Sequence, residues 1–247
     1  MSDEIEKKIV SDTLRSVNEV TKNYKDLSNF KKLLPTLLDK GVDNINLSMF
    51  DEESKKELLN ALGEEYARRG RLSEAVKVFI LCGNKMKLVK IGEDYENVGL
   101  FSNAIDCYRL AGNQDKLLKS GNKCLEEGKL SDAIKAFIAL GNNERLIKVG
   151  EDCLRKSKYD YAIEVFVAVK NKSKLAEVGE KALADSQIGY AAKAFELSED
   201  KEKLSTLGDT CMKQGLVSAA LKAYTLAGNE MMIQFIKENF PSNNNLY

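Results

Sequence analysis

Two stretches decide the fold: LVKIGEDY at Leu88–Tyr95 and LIKVGEDC at Leu146–Cys153. They lie 58 positions apart (146 − 88), twice a shorter interval of 29. The shorter interval is the real one. Gly63, Gly92, Gly121, Gly150, Gly179 and Gly208 follow each other in 29-residue steps. So do Ala75, Ala104, Ala133, Ala162, Ala191 and Ala220. A third register is aromatic throughout: Phe79, Tyr108, Phe137, Phe166, Phe195 and Tyr224. A fourth is leucine throughout: Leu59, Leu88, Leu117, Leu146, Leu175 and Leu204. Repetition of this length marks a solenoid, whose units bury their apolar faces only by stacking.

Each unit reads as two helices. Leu59, Leu62, Gly63 and Tyr66 are spaced i, i+3, i+4, i+7, one helical face. Ala75, Val76, Phe79 and Cys82 mark a second. Between them Gly70, Gly99, Gly128 and Gly215 are placed to end the first helix in the left-handed conformation. Ser73, Ser102, Ser131, Asp160 and Ser218 are expected to cap the second helix. The pairs Gly83-Asn84, Gly112-Asn113, Gly141-Asn142 and Gly228-Asn229 stop one unit and cap the next. In copies four and five Ser157, Lys170, Ser186 and Glu199 stand where the other copies have glycine, so strain is expected there. The glycines inside the first helices each cost about 1 kcal/mol relative to alanine. Close approach to the Ala75-type residues of the second helix is the expected compensation.

Composition narrows the function. The chain of 247 residues is 43% apolar, with 38 basic and 38 acidic residues. A nucleic-acid binder needs a basic field, which this balance lacks. No apolar run approaches the ~20 residues of a membrane span. The N-terminus MSDEIEKK has no apolar core of the secretory type. A cytoplasmic protein without an integral membrane segment is expected. Histidine is absent, which removes Cys-His and Ser-His nucleophile activation and the commonest zinc ligands. Cys82, Cys107, Cys124, Cys153 and Cys211 all fall on core registers and read as small buried apolar residues. No phosphate-cradling glycine loop occurs, and the carboxylates are too evenly spread to single out an acid–base pair. The expectation is a protein with no catalytic residues, no metal site and no cofactor.

The registers Leu59, Leu62-Gly63, Tyr66, Gly70, Ala75, Phe79 and Cys82, repeated as Leu88, Ile91-Gly92, Tyr95, Gly99, Ala104, Tyr108 and Ala111, resemble the tetratricopeptide repeat. The unit here is shorter than that family's, so the second helices and the turns after them are expected to be compressed. Compressed hairpins ending in Ala-Gly-Asn also look like the α-solenoids of vesicle-coat and trafficking proteins. The resemblance implies an all-α, right-handed superhelix of six 29-residue hairpins over 51–232. Residues 1–50 are expected to form a helical cap, with an amphipathic helix over 4–27, a break at Pro35 and an extended piece after Gly41. Residues 233–247 are expected to give a closing helix and a tail. Either end helix is also a candidate for homodimerisation, with Met231, Met232 and Phe235 suited to it.

In tetratricopeptide proteins the first-helix residue after the glycine faces a concave groove. Here that register reads Glu64, Glu93, Asn122, Glu151, Glu180 and Asp209. The resemblance therefore implies a negative stripe for a basic peptide or protein partner, partly neutralised by Arg68, Arg155 and Lys213. The plain alternative is a solvated helical face. A second row, Val89, Leu118 and Ile147 with Leu125, Leu154 and Leu183, is apolar and reads either as grip or as core. The expected role is a non-catalytic adaptor. The alternative is a structural subunit of a coat-like or scaffold assembly that self-associates through its ends.

Overall fold

A computed structural model describes residues 33–240. The expected helix over 4–27 and the final tail lie outside the described residues. The described chain is all-α, with no strand among its residues. Residues 33–40 are helical on both sides of Pro35, so no break occurs there. Gly41, at φ 78°, ends this helix, and the expected extended piece opens with a 3-10 turn, Val42–Asn44. Asp43 in that turn pairs with Lys77 at 3.3 Å.

Thirteen α-helices follow: α1 (Glu52–Arg68), α2 (Leu72–Leu81), α3 (Lys85–Asn97), α4 (Phe101–Ala111), α5 (Gln114–Glu126), α6 (Leu130–Leu140), α7 (Asn143–Arg155), α8 (Tyr159–Ala168), α9 (Lys172–Ala184), α10 (Ile188–Ser198), α11 (Lys201–Lys213), α12 (Val217–Ala227) and α13 (Glu230–Asn239). Odd-numbered helices from α1 to α11 are the first helices of the six hairpins. The chain divides into two compact units, residues 1–116 and 117–247. In the first unit α1 packs on α2, α2 on α3 and α3 on α4. In the second, α7 through α13 pack in the same consecutive way. The compression lies in the second helices, which span 10 or 11 residues against 13 for α3.

The core of each hairpin is an aromatic ring laid on the helical glycine. A Cβ on Gly63 would lie 2.6 Å from the Phe79 ring, and one on Gly92 2.5 Å from Tyr108. On Gly208 it would lie 2.5 Å from Tyr224. The expected approach to Ala75-type residues is thus corrected: the ring, not the alanine methyl, needs the glycine. The alanines stand in the same packed layer, fully buried. One polar residue breaks the pattern. Ser120 occupies the register of Leu62, Ile91, Val149, Val178 and Leu207, and its hydroxyl is buried without a partner.

The second helices start without side-chain caps. In the five copies where a cap was expected the helix begins one residue before it, after an N-cap such as Arg71, Leu100 or Lys129 that makes no side-chain cap bond. The connection is too short for a separate cap. Arg71 N–H donates to Tyr66 O at 2.9 Å, and Gly70 N–H to Ala67 O at 3.0 Å, which closes α1 in a Schellman turn. The same Arg71 is the N-cap of α2, so its backbone is committed to the turn and Ser73 lies inside the helix. The first helices do carry the expected caps. Asp51 accepts from Glu53 and Ser54 N–H, and Asn84, Asn142, Asn171 and Asn229 each cap the helix that follows.

Candidate partner-binding site

Capping fixes the third residue of each first helix, and from α3 to α11 that residue is basic. Asn84 Oδ1 accepts from Lys87 N–H at 3.1 Å, and the same bond recurs from Asn113 to Lys116, Asn142 to Arg145, Asn171 to Lys174 and Asp200 to Lys203. Each of these cations reaches back to the preceding first helix and meets the acidic register. Lys87 Nζ lies 2.5 Å from Glu64, and Lys116 Nζ 2.7 Å from Glu93. Arg145 Nη1 donates to Asn122 Oδ1 at 2.8 Å. Lys174 Nζ lies 3.0 Å from Glu151, and Lys203 Nζ pairs with Glu180. The partners are 23 residues apart at every rung, and each rung lies within one compact unit.

The register predicted as a negative stripe is therefore one side of a ladder whose other side is positive. Cation and acid cancel on four rungs, and the Asn122–Arg145 rung has a net positive charge. The neutralising groups are not those expected from the sequence. Arg68 binds Glu65 at 2.6 Å, and Arg155 binds Asp152 at 3.1 Å. Two of the lysines are held in the charged form by their partners: Glu151 and then Glu177 raise Lys174, and Glu180 raises Lys203. Asp209 is the exception. Its rung position 23 residues on is Met232, and the carboxylate instead accepts a hydrogen bond from Tyr224 Oη at 2.7 Å.

Surface clefts open between successive first helices, beside the rungs. One of about 360 Å³ is lined by Glu64, Ala67 and Arg68 of α1, Phe79 of α2, and Lys87, Lys90, Ile91 and Asp94 of α3. One of about 390 Å³ lies between α7 and α9, with Glu151, Leu154, Lys174, Glu177 and Lys181 in its wall. Another of about 390 Å³ holds Glu180, Leu183, Lys203 and Thr206. The second apolar row is thus placed: Leu154 and Leu183 line clefts, and Val89, Leu118, Ile147 and Leu125 are half-buried. The arrangement offers a charged rim over an apolar floor, which suits side chains of a polypeptide partner.

The five cysteines are free and buried. Burial pushes the Cys107 thiol up to about 11 and also raises Cys82, Cys153 and Cys211, so these groups are protonated at neutral pH. Among the described residues no group of His, Cys, Asp and Glu is arranged to hold a metal ion. No helix among them is long and apolar enough to cross a membrane. Comparison with protein-family models and with curated proteins finds no match for the chain.

Proposed function

We propose that the protein is a non-catalytic, cytoplasmic adaptor that holds a protein or peptide partner against its first helices. One observation carries this reading: the rim-and-floor cleft recurs beside Glu64–Lys87, Glu151–Lys174 and Glu180–Lys203. Each cleft sets a charged pair beside apolar side chains, a lining able to take both kinds of group from a partner. Exposed ion pairs contribute little stability individually, so a partner can exchange them for its own charges at low cost. The ladder revises the partner's chemistry. A chain with acidic and basic side chains in alternation fits the rungs better than a purely basic peptide. Single buried thiols fit a reducing compartment.

The test is to reverse rungs rather than to delete them. Glu64→Lys/Lys87→Glu and Glu180→Lys/Lys203→Glu together keep each internal pair and invert its polarity. The melting temperature is expected to hold, while proteins captured specifically by the wild type in affinity purification are lost. Unchanged capture by the reversed protein defeats the reading. The second reading, a self-assembling scaffold subunit, draws on the exposed Met231 and Phe235 of the last helix. Concentration-dependent growth in sedimentation favours it over the adaptor.

A further inference from the structure

The repeat supplies its own control for each position, and α13 departs from it on one face. In the cleft between α1 and α3, the later helix contributes Lys87, Lys90 and Asp94. Between α7 and α9 the same three positions are Lys174, Glu177 and Lys181. In α11 they are Lys203, Thr206 and Thr210, and in α13 they are Met232, Phe235 and Asn239. A wall that is polar or charged in the earlier clefts becomes apolar here at two of its three positions. Met231 beside it is 77% exposed, and Phe235, stacked edge-on with Phe240, is 45% exposed. The acid of this rung is retained as Asp209, but its cation is gone.

Helix α13 does not carry the repeat's own packing pattern onward. Lys237 occupies the helical glycine register, where every earlier copy needs a bare Cα beneath an aromatic ring. A second copy stacked end to end in the repeat's own register puts no cation on this rung: one unit before Lys87 the register is Leu58, which is buried.

We propose that the face shared by α11 and α13 docks an amphipathic helix of another protein, which seats a lysine or arginine on Asp209 and apolar side chains on Met232 and Phe235. The proposal rests on the adaptor reading and places one anchoring point on it. Complementarity argues for this partner, since the missing group is a cation and the added groups are apolar.

The probe is a fluorescein-labelled peptide, Ac-LKKLLKLLKKLLKL-NH2, compared with its glutamate counterpart, Ac-LEELLELLEELLEL-NH2, by polarisation on the full chain. The lysine peptide is expected to bind about tenfold more tightly than the glutamate one. Met232→Lys completes the rung internally and is expected to weaken the lysine peptide about tenfold without lowering the melting temperature. Phe235→Glu is expected to weaken it as well. Equal binding of the two peptides, or binding indifferent to Met232→Lys, overturns the proposal. So does a wild-type dimer that Phe235→Glu dissociates, which gives the face to a second copy. Tighter binding after removal of residues 241–247 gives it to the chain's own tail and also overturns the proposal. If the probe responds to the Glu64–Lys87 reversal and not to Met232→Lys, this anchoring point falls while the adaptor reading stands. If Met232→Lys weakens the probe but rung reversal leaves partner capture intact, the anchoring point stands and the ladder reading falls.

Discussion

Each repeat holds glycine in two regions, and the two behave differently. Inside the first helix, Gly63 and its five equivalents are never replaced. At the turns glycine gives way four times, to Ser157, Lys170, Ser186 and Glu199. The backbone does not change with the residue: those four hold φ between 52° and 59°, in the same left-handed region as Gly70 at 74°. A side chain at the turn meets conformational strain but open space, since nothing lies within 4 Å of a Cβ built on Gly70 or Gly112. A side chain inside the helix meets an aromatic ring. Strain of about 1–2 kcal/mol can be offset by neighbours, whereas overlap with a packed ring requires the hairpin to open.

The neighbours that offset it are visible. Ser157 Oγ donates to Asp185 at 3.0 Å, and Tyr159 Oη donates to the same carboxylate. Lys181 Nζ donates to Leu154 O at 2.6 Å and so covers the free carbonyls at the end of α7. At another of the four replaced turns Glu199 pairs with Lys172 at 2.5 Å. Ser157 thus gains a polar contact from the adjacent hairpin and Glu199 one from the first helix of its own.

The contrast is most severely tested by Gly121→Leu, which is expected to cost about 3 kcal/mol or more in chemical denaturation through overpacking against Phe137 and Ala136. An unchanged midpoint would mean that the ring can move aside. One residue away, Ser120→Val should raise stability by about 1–2 kcal/mol, because it removes an unpartnered buried hydroxyl and restores the apolar register. A loss of stability there would show that the third copy needs the smaller residue. At the turn, Gly112→Ala, with φ 69° and open space, is expected to cost only about 1 kcal/mol. A cost equal to that of Gly121→Leu erases the distinction. Ser157→Gly relieves strain but forfeits the bond to Asp185, so its net effect should stay under about 1 kcal/mol. In an Asp185→Ala background the same change should be more favourable, which a double-mutant cycle in urea measures.

The smallest expected effect concerns a first-helix acid outside the ladder. Hydrogen bonds from Arg68 and Arg69 lower the Glu65 carboxyl to about 2. A carboxyl lowered on folding contributes stability above its unfolded value, and that contribution is lost as pH falls through the folded one. The loss therefore runs from about 4.5 down to about 2. Carboxyl-resolved NMR titration should find the low midpoint, and Arg68→Ala/Arg69→Ala should move it back up.

Local signals made the hairpins legible. Glycine, alanine, aromatic and leucine recur without a slip, and periodicity of this kind fixes helix, turn and buried face together. The caps Asp51, Asn84 and Asn142 were legible for the same reason, because a cap acts within three residues. The caps expected at Ser73 and Ser102 failed because two turns share one backbone residue, a fact about connection geometry rather than propensity. The ladder was half legible. The acidic register was plain, but the sequence reading set Arg68, Arg155 and Lys213 against it and passed over the row Lys87, Lys116, Arg145, Lys174 and Lys203. Their meeting depends on the stagger between neighbouring hairpins, which no single-helix pattern encodes. Likewise the residue facing Gly63 could be alanine or phenylalanine by spacing alone, and only the packed ring decides it.

The asparagine that starts most of the first helices has a consequence for how such a protein changes length. Between Asn84 and Gly112 lie a cap, the cation held by it, an acid for the next cation, a bare Cα and the ring that covers it. Every connection this segment needs on either side is one that its neighbours already make. Tandem duplication of that stretch of gene, in frame, would insert a seventh hairpin already wired to both adjacent copies. A duplication a few codons longer or shorter than one unit would instead shift cap, cation and acid out of register with the next copy.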